Sequence, residues 1–256
     1  MSREAALAKQ QRGLGDWAQL LGASSPGATV LRRGGITAAL VPACPQRSLC
    51  NSVVYTDTAE LVAALAEGEL DRAYAEAGIA AWTVWAPEFD REAIAALEAA
   101  GHALDGSPLA MSAELDALDP SPPGDLDWDT DADPADLGRI NDLAYGLPAD
   151  AGVAPSLAAP PPNPNVRLYQ ARVDGEPATV LATIDHDTDL GFYFVATDPD
   201  HRGLGLAGRL IGVAIAEARE RGLETSSLQG SPMGRSLYRR LGFHDDYAQN
   251  LWELRR

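Results

Sequence analysis

The sequence predicts a mixed α/β chain arranged as two successive halves, and three observations carry that expectation. An apolar run ending in Val195-Ala196-Thr197 passes into a glycine-punctuated turn, which opens a helix. Asp174-Gly175 joins two strand-like runs, a strong hairpin signal. A strand–helix–glycine–strand order occupies residues 78–115 and recurs near residues 225–253. At 256 residues the chain can hold one large or two modest domains, and we read them as 1–118 and 119–256.

The elements follow in order. A helix is expected over about 2–21, short strands near 28–31, 36–41 and 51–55, and helices within 58–77. Gly78-Ile-Ala-Ala-Trp-Thr-Val-Trp reads as a strand. Asp90 to Ala100 reads as a helix ended by Gly101, and Leu109 to Leu115 as the strand closing the first half. From Glu114 the chain reads as a linker through Pro120, Pro122, Pro123 and Gly124, then as a short exposed strand. The alternating aspartates 125–133 suggest a calcium loop starting at Asp127. Ala132 stands at its tight-turn glycine position and Gly138 at its bidentate glutamate, so a solvated acidic face is expected instead. Pro134 starts a helix striped by Leu137, Ile140, Leu143 and Ala144. Residues 146–165, with Pro160, Pro161, Pro162 and Pro164, form a long proline-rich loop of the kind that serves as a lid. Strands near 166–173, 177–185 and 191–197 precede a helix with Ala207, Ile211, Ala214, Ile215 and Ala218 on one face. A strand near 225–229, a helix bearing Tyr238 and a last strand near 246–253 complete the second half.

The bulk properties bound the function. The chain is 46% hydrophobic and 22% charged, ordinary globular values. It shows neither a membrane-length apolar run nor a signal-peptide core, so a cytoplasmic protein is expected. Cys44 and Cys50 then read as a reduced structural pair. A net charge of −17 argues against nucleic acid and anionic membranes as partners; it reads as solubility with a biased composition or, alternatively, as suited to a cationic acceptor.

The chemistry concentrates at residues 195–207. Amides at a helix start are unpaired and carry partial positive charge, so they attract phosphate. Gly203 and Gly205 remove side chains that would hold an anion away, and Arg202 adds a cation. A P-loop is excluded, because Lys9 is the single lysine. Gly203, Gly205 and Gly208 meet the spacing of a dinucleotide fingerprint, yet the next strand closes on Leu228 and Gln229 where a ribose-binding acid belongs. Arg202, Gly205 and Ala207 fit Arg-x-x-Gly-x-Ala better. Beyond one helix and one strand comes Leu237-Tyr238-x-x-Leu241-Gly242-Phe243.

These two motifs, in this order and at this separation, resemble the coenzyme A motif and the closing helix of the GNAT superfamily of N-acetyltransferases. The resemblance implies a GNAT fold, a central mixed and mostly antiparallel sheet flanked by helices. The first half, lacking both motifs, resembles a degenerate second copy, as in tandem GNAT proteins. It further implies acetyl-CoA as donor and direct transfer of acetyl to an amine bound in the same complex. Val195, Ala196 and Thr197 would pair with the pantetheine arm, an N–H of Val195 or Ala196 facing the thioester carbonyl. Arg202, Gly203, Leu204, Gly205, Leu206 and Ala207 would hold the pyrophosphate. Ser231 stands where many members carry a pantetheine-binding Asn, Gly234 follows it, and Tyr238 would be the general acid for the thiolate. Asn141, Tyr145, Phe192 and Tyr193 are the acceptor-side candidates. The general base stays open: where many members place a Glu, this chain has Gly191-Phe192-Tyr193. His186 has the right intrinsic pKa, but a turn histidine among Asp185, Asp187 and Asp189 reads as a solvated group. The acceptor is expected to be a small amine, with a protein N-terminus or a mycothiol-type intermediate as rivals, and the protein a monomer or homodimer. A non-catalytic acyl-CoA-binding sensor or assembly module is the alternative function.

Overall fold

Alternation and helical periodicity place most elements, and the computed structural model shows how they associate. It describes residues 3–148, 153–158 and 163–256. Among these no helix is long and apolar enough to cross a membrane. The chain divides into two units, each described by itself. The first comprises Met1–Leu109, Ser156–Pro161 and Tyr247–Arg256, and the second Ala110–Pro155 and Pro162–Asp246.

The first unit begins with α1 (Arg3–Leu21), then β1 (Thr29–Arg33), β2 (Ile36–Leu40) and β3 (Ser52–Tyr55). α2 (Thr58–Ala66) and α3 (Glu69–Glu76) lead to β4 (Ala81–Pro87), α4 (Arg91–Ala99) and β5 (Ala103–Gly106). β1, β2 and β3 form an antiparallel meander, and β3 pairs with β4 in parallel. The sheet continues from β4 into a strand from the far end of the chain, β12 (His244–Arg255), which β5 also joins. Burial of Trp82, Tyr74, Leu61 and Leu97 drives this assembly, and Trp252 of β12 belongs to the same core. Tyr74 stacks on Trp82 at 4.7 Å, and His102 meets the other ring edge-on at 4.6 Å. The Asp57 side chain caps α2 by accepting from the amides of Ala59 and Glu60.

In the second unit, β6 (Leu109–Glu114) and β7 (Asp127–Asp129) precede α5 (Pro134–Ala144) and the short α6 (Val153–Ser156). β8 (Val166–Val173), β9 (Glu176–His186) and β10 (Asp189–Thr197) follow, then α7 (Leu206–Glu220), β11 (Thr225–Gly230) and α8 (Arg235–Leu241). The strands run in the order β7, β8, β9, β10, β11, β6, antiparallel from β7 to β10 and parallel between β10 and β11. α7 lies on the face carrying Tyr169 and Asp185, which bond Glu217 and Arg221 of that helix. α5 covers the other face of β8, β9 and β10.

Four features differ from the sequence expectation. The strand at 109–114, read as closing the first half, lies beside β11. The last strand, read as completing the second half, lies from Tyr247 onward beside β4. Its apolar side chains, Trp252 and Leu254, fill the first core, which decides its partner. The aspartates of 125–133 are only in part a solvated face. Asp125 pairs with Arg209, Asp129 accepts from Gln170 and Arg172, and Asp133 caps α5 through the Ala135 amide. The proline-rich segment holds α6, whose Val153 amide donates to both oxygens of buried Asp142 at 3.1 Å; Pro160, Pro161 and Pro162 lie outside the described residues.

Candidate active site

β10 and β11 pair over three residues only, Asp189↔Thr225, Leu190↔Ser226 and Gly191↔Ser227. Beyond Gly191 the two strands share no ladder, so a wedge opens between them toward the C-terminal end of β10. A bulge between Tyr193 and Ala196, with Phe194 at φ 51°, bends β10 there. Past the bulge Ala196 pairs with Val180, and the Asp198 amide donates to the Ala178 carbonyl. Past the bulge, alternation therefore turns the Ala196 N–H toward β9 and the Thr197 N–H toward the wedge, while Val195 lies within the bulge itself.

The turn after β10 is built for an anion. Gly203 and Gly205 have φ of 81° and 74°, and a Cβ on either would meet nothing within 4 Å. Both glycines are thus required by backbone conformation, and the space before them is open. α7 starts at Leu206 with no side-chain cap and no acidic residue in its first turn. The first amides of this helix, at Leu206, Ala207 and Gly208, point out toward that space. Arg202 does not stand loose beside them: its Nη2 donates to the Ala144 carbonyl at the end of α5, at 2.6 Å. Leu204 is exposed at the tip.

Tyr238 lies on α8, which ends at Gly242 with φ 108°. Its ring occupies a berth formed by glycines. A Cβ on Gly234 would stand 3.0 Å from the ring, and one on Gly230 would stand 3.6 Å away. Phe243 packs edge-on at 5.8 Å. Burial raises the Tyr238 pKa well above the usual phenol value, and the nearby Tyr145 phenol opposes its ionisation further. The group is therefore protonated throughout the neutral range. Ser231 holds the turn into α8, its Oγ accepting from the Gly234 amide at 3.3 Å.

The acceptor-side candidates separate by face. Phe192, opposite Thr183, is buried on the side of α7, whereas Tyr193, opposite Ala182, is on the side covered by α5. Tyr145 ends α5 close to Tyr238, and Asn141, one turn earlier, is buried with its Oδ1 lacking a hydrogen-bond partner. His186 overturns its reading as a solvated turn group. It closes β9 at 3% exposure, with Nε2 3.0 Å from the Tyr193 hydroxyl. Asp189, its cross-strand partner, is buried and accepts from Thr225 Oγ1 at 2.6 Å and Ser227 Oγ at 2.5 Å. Sequence reasoning missed this network. Its one visible signal was the run Thr225-Ser226-Ser227 in a strand otherwise fit for burial.

Comparison with known proteins agrees with this geometry. Residues 164–245 match the model of the acetyltransferase (GNAT) domain. No curated protein matches the chain in sequence. Among solved structures, a GCN5-related N-acetyltransferase from Kribbella flavida is similar at 20% identity and TM-score 0.64, over 99% of this chain and 95% of that one. A tandem GNAT protein from the clavulanic acid biosynthesis pathway is similar at 16% identity and TM-score 0.56, over 94% of both chains. A GCN5-related N-acetyltransferase from Sphaerobacter thermophilus is similar at 17% identity and TM-score 0.56, over 86% of this chain and 76% of that one.

Proposed function

We propose that this chain, which carries a GNAT-family acetyltransferase domain at residues 164–245, uses acetyl-CoA to acetylate an amine bound beside it. The observation that carries the reading is the β10–β11 wedge, which ends in an uncapped, glycine-turned helix start and has a buried phenol close by. Coenzyme A fits these residues: its pyrophosphate suits the open amides of Leu206, Ala207 and Gly208 before Gly203 and Gly205, and its extended arm suits the side of β10 that no longer pairs with β11 beyond Gly191. When bound it supplies an acyl thioester. An N–H at the β10 bulge, that of Val195 or Ala196, would hold the carbonyl oxygen, as an oxyanion donor does. Tyr238, kept protonated by burial, donates to the departing sulfur. The net charge of −17 supports a cationic amine as acceptor.

The first unit has a similar plan, an antiparallel meander and one parallel pair, but with two helices, α2 and α3, between the paired strands where the second unit has one. Its helix α2, however, spends its first amides on the Asp57 carboxylate, with Glu60 in the same turn. A carboxylate in that place repels phosphate, which supports reading this half as a degenerate copy without donor binding.

Titration calorimetry with coenzyme A, and thiol release from acetyl-CoA across a panel of primary amines, test the proposal. One coenzyme site per chain and turnover of at least one amine are expected. Absence of coenzyme binding overturns the reading. Tight binding without turnover replaces it with an acyl-CoA-binding module.

A further inference from the structure

Transfer to an amine requires that the nitrogen lose a proton before it attacks, and β10 offers no carboxylate at the mouth of the wedge. What stands at its closed end, over Gly191, is a hydrogen-bonded phenol and imidazole. Tyr193 lies just inside the wedge, two residues before Val195, on the face covered by α5. Its ring folds back over Gly191 to reach His186. A Cβ on Gly191 would stand 2.7 Å from His186 Nε2 and 2.9 Å from the Tyr193 oxygen, so the missing side chain makes the pair possible. Of the four histidines, His102 belongs to the other unit, His201 to the turn after β10, and His244 is exposed. Asp189, opposite His186, places a buried carboxylate on the same face, held by two hydroxyls. Burying so many polar groups at one point is costly unless they act together.

We propose that Tyr193 is the catalytic residue that takes the acceptor's proton, and that His186 acts through it as the positioning residue and proton sink. The proposal rests on the acetyl-transfer reading above. With the imidazole proton on Nδ1, Tyr193 donates to Nε2. An ammonium proton then passes to the Tyr193 oxygen as the hydroxyl proton passes to Nε2, leaving a neutral amine and an imidazolium on the residue paired with Asp189 in the sheet. The amine lone pair forms the N–C bond while the C–S bond breaks. The second nitrogen proton, shed at that step, replaces the one Tyr238 gives to sulfur, and His186 returns the first to water.

The test compares wild type, Tyr193→Phe and His186→Gln with two nucleophiles, a primary alkylamine that is protonated at neutral pH and methoxyamine, which is not. Both variants should bind coenzyme A within about twofold of wild type by calorimetry, while the alkylamine rate falls about 100-fold and the methoxyamine rate less than about threefold. Independently of turnover, nitrogen NMR of the wild type should show His186 protonated at Nδ1, and Tyr193→Phe should shift its Nε2 resonance. A proton on Nε2, or equal losses with both nucleophiles, or no loss, overturns the proton path while leaving acetyl transfer intact. A wild type that binds coenzyme A and turns over neither nucleophile overturns both readings.

Discussion

At Gly205 the backbone is left-handed and the space in front is open, so a side chain there has two separable effects. Gly205→Ala should lower stability by roughly 1 kcal/mol through φ alone, since no clash accompanies it. Its methyl group, standing before the α7 amides, should also weaken coenzyme A by about tenfold, an amount worth ~1.4 kcal/mol. Thermal melts and calorimetry read the two effects apart. Tyr238→Phe keeps the ring in its glycine berth and removes only the hydroxyl. Acetyl transfer should drop by roughly 100-fold with coenzyme affinity unchanged. His102 gives a pH-dependent prediction. Burial lowers its pKa from 6.5 to about 4. Above pH 6.5 it is neutral in both folded and unfolded chains and contributes no pH dependence. As pH falls from 6.5 to 4, the unfolded chain takes up a proton that the folded chain refuses. Stability should therefore decline on acidification, by on the order of 3 kcal/mol, and His102→Phe should flatten that slope in urea melts at stepped pH. Residue-level chemistry was legible where a backbone requirement selects the residue, as at Gly203, Gly205 and Gly242. It was illegible at His186, because Asp185-His186-Asp187 looks solvated until the hairpin brings Tyr193 over Gly191.

Two helix starts, each following the first strand of a parallel pair, differ in what their amides meet. α7 begins on glycine with its amides open, whereas α2 begins on Asp57 with its amides satisfied. Asp57→Ala should cost about 1 kcal/mol of stability, as loss of an N-cap does. It should not create a second coenzyme site, because Glu60 stays in the first turn and no glycine turn precedes the helix. Calorimetric stoichiometry of one in both proteins checks this. Helices and strands with two or more periods were readable from the sequence, and so was the hairpin at Asp174-Gly175. α6 and β5, four residues each, are too short to carry a period. Their formation depends on tertiary partners, Asp142 for α6 and β12 for β5.

Across the whole molecule, strand partnership was the level the sequence concealed. Alternation says which side of a strand is buried, but not against which core. Trp252 and Leu254 complete the core of Trp82 and Leu97, while Ala110 to Glu114 belong with β11. Each unit is therefore closed by a strand from the other half of the sequence. Fragments 1–118 and 119–256, although cut at the evident linker, should each be insoluble or molten alone and fold on co-expression. Near-UV circular dichroism and gel filtration would show this, and two independently folded fragments would refute it. The exchange also sets a timetable for synthesis. β4, buried along its whole length in the finished protein, emerges from the ribosome some 160 residues before Gln249 to Arg255, its partners in β12. At ordinary elongation rates the nascent chain spends on the order of ten seconds with that hydrophobic edge unpaired. An edge of that kind invites aggregation. The yield of this protein in a cell should thus depend on the chaperones that reach β4 before another polypeptide does.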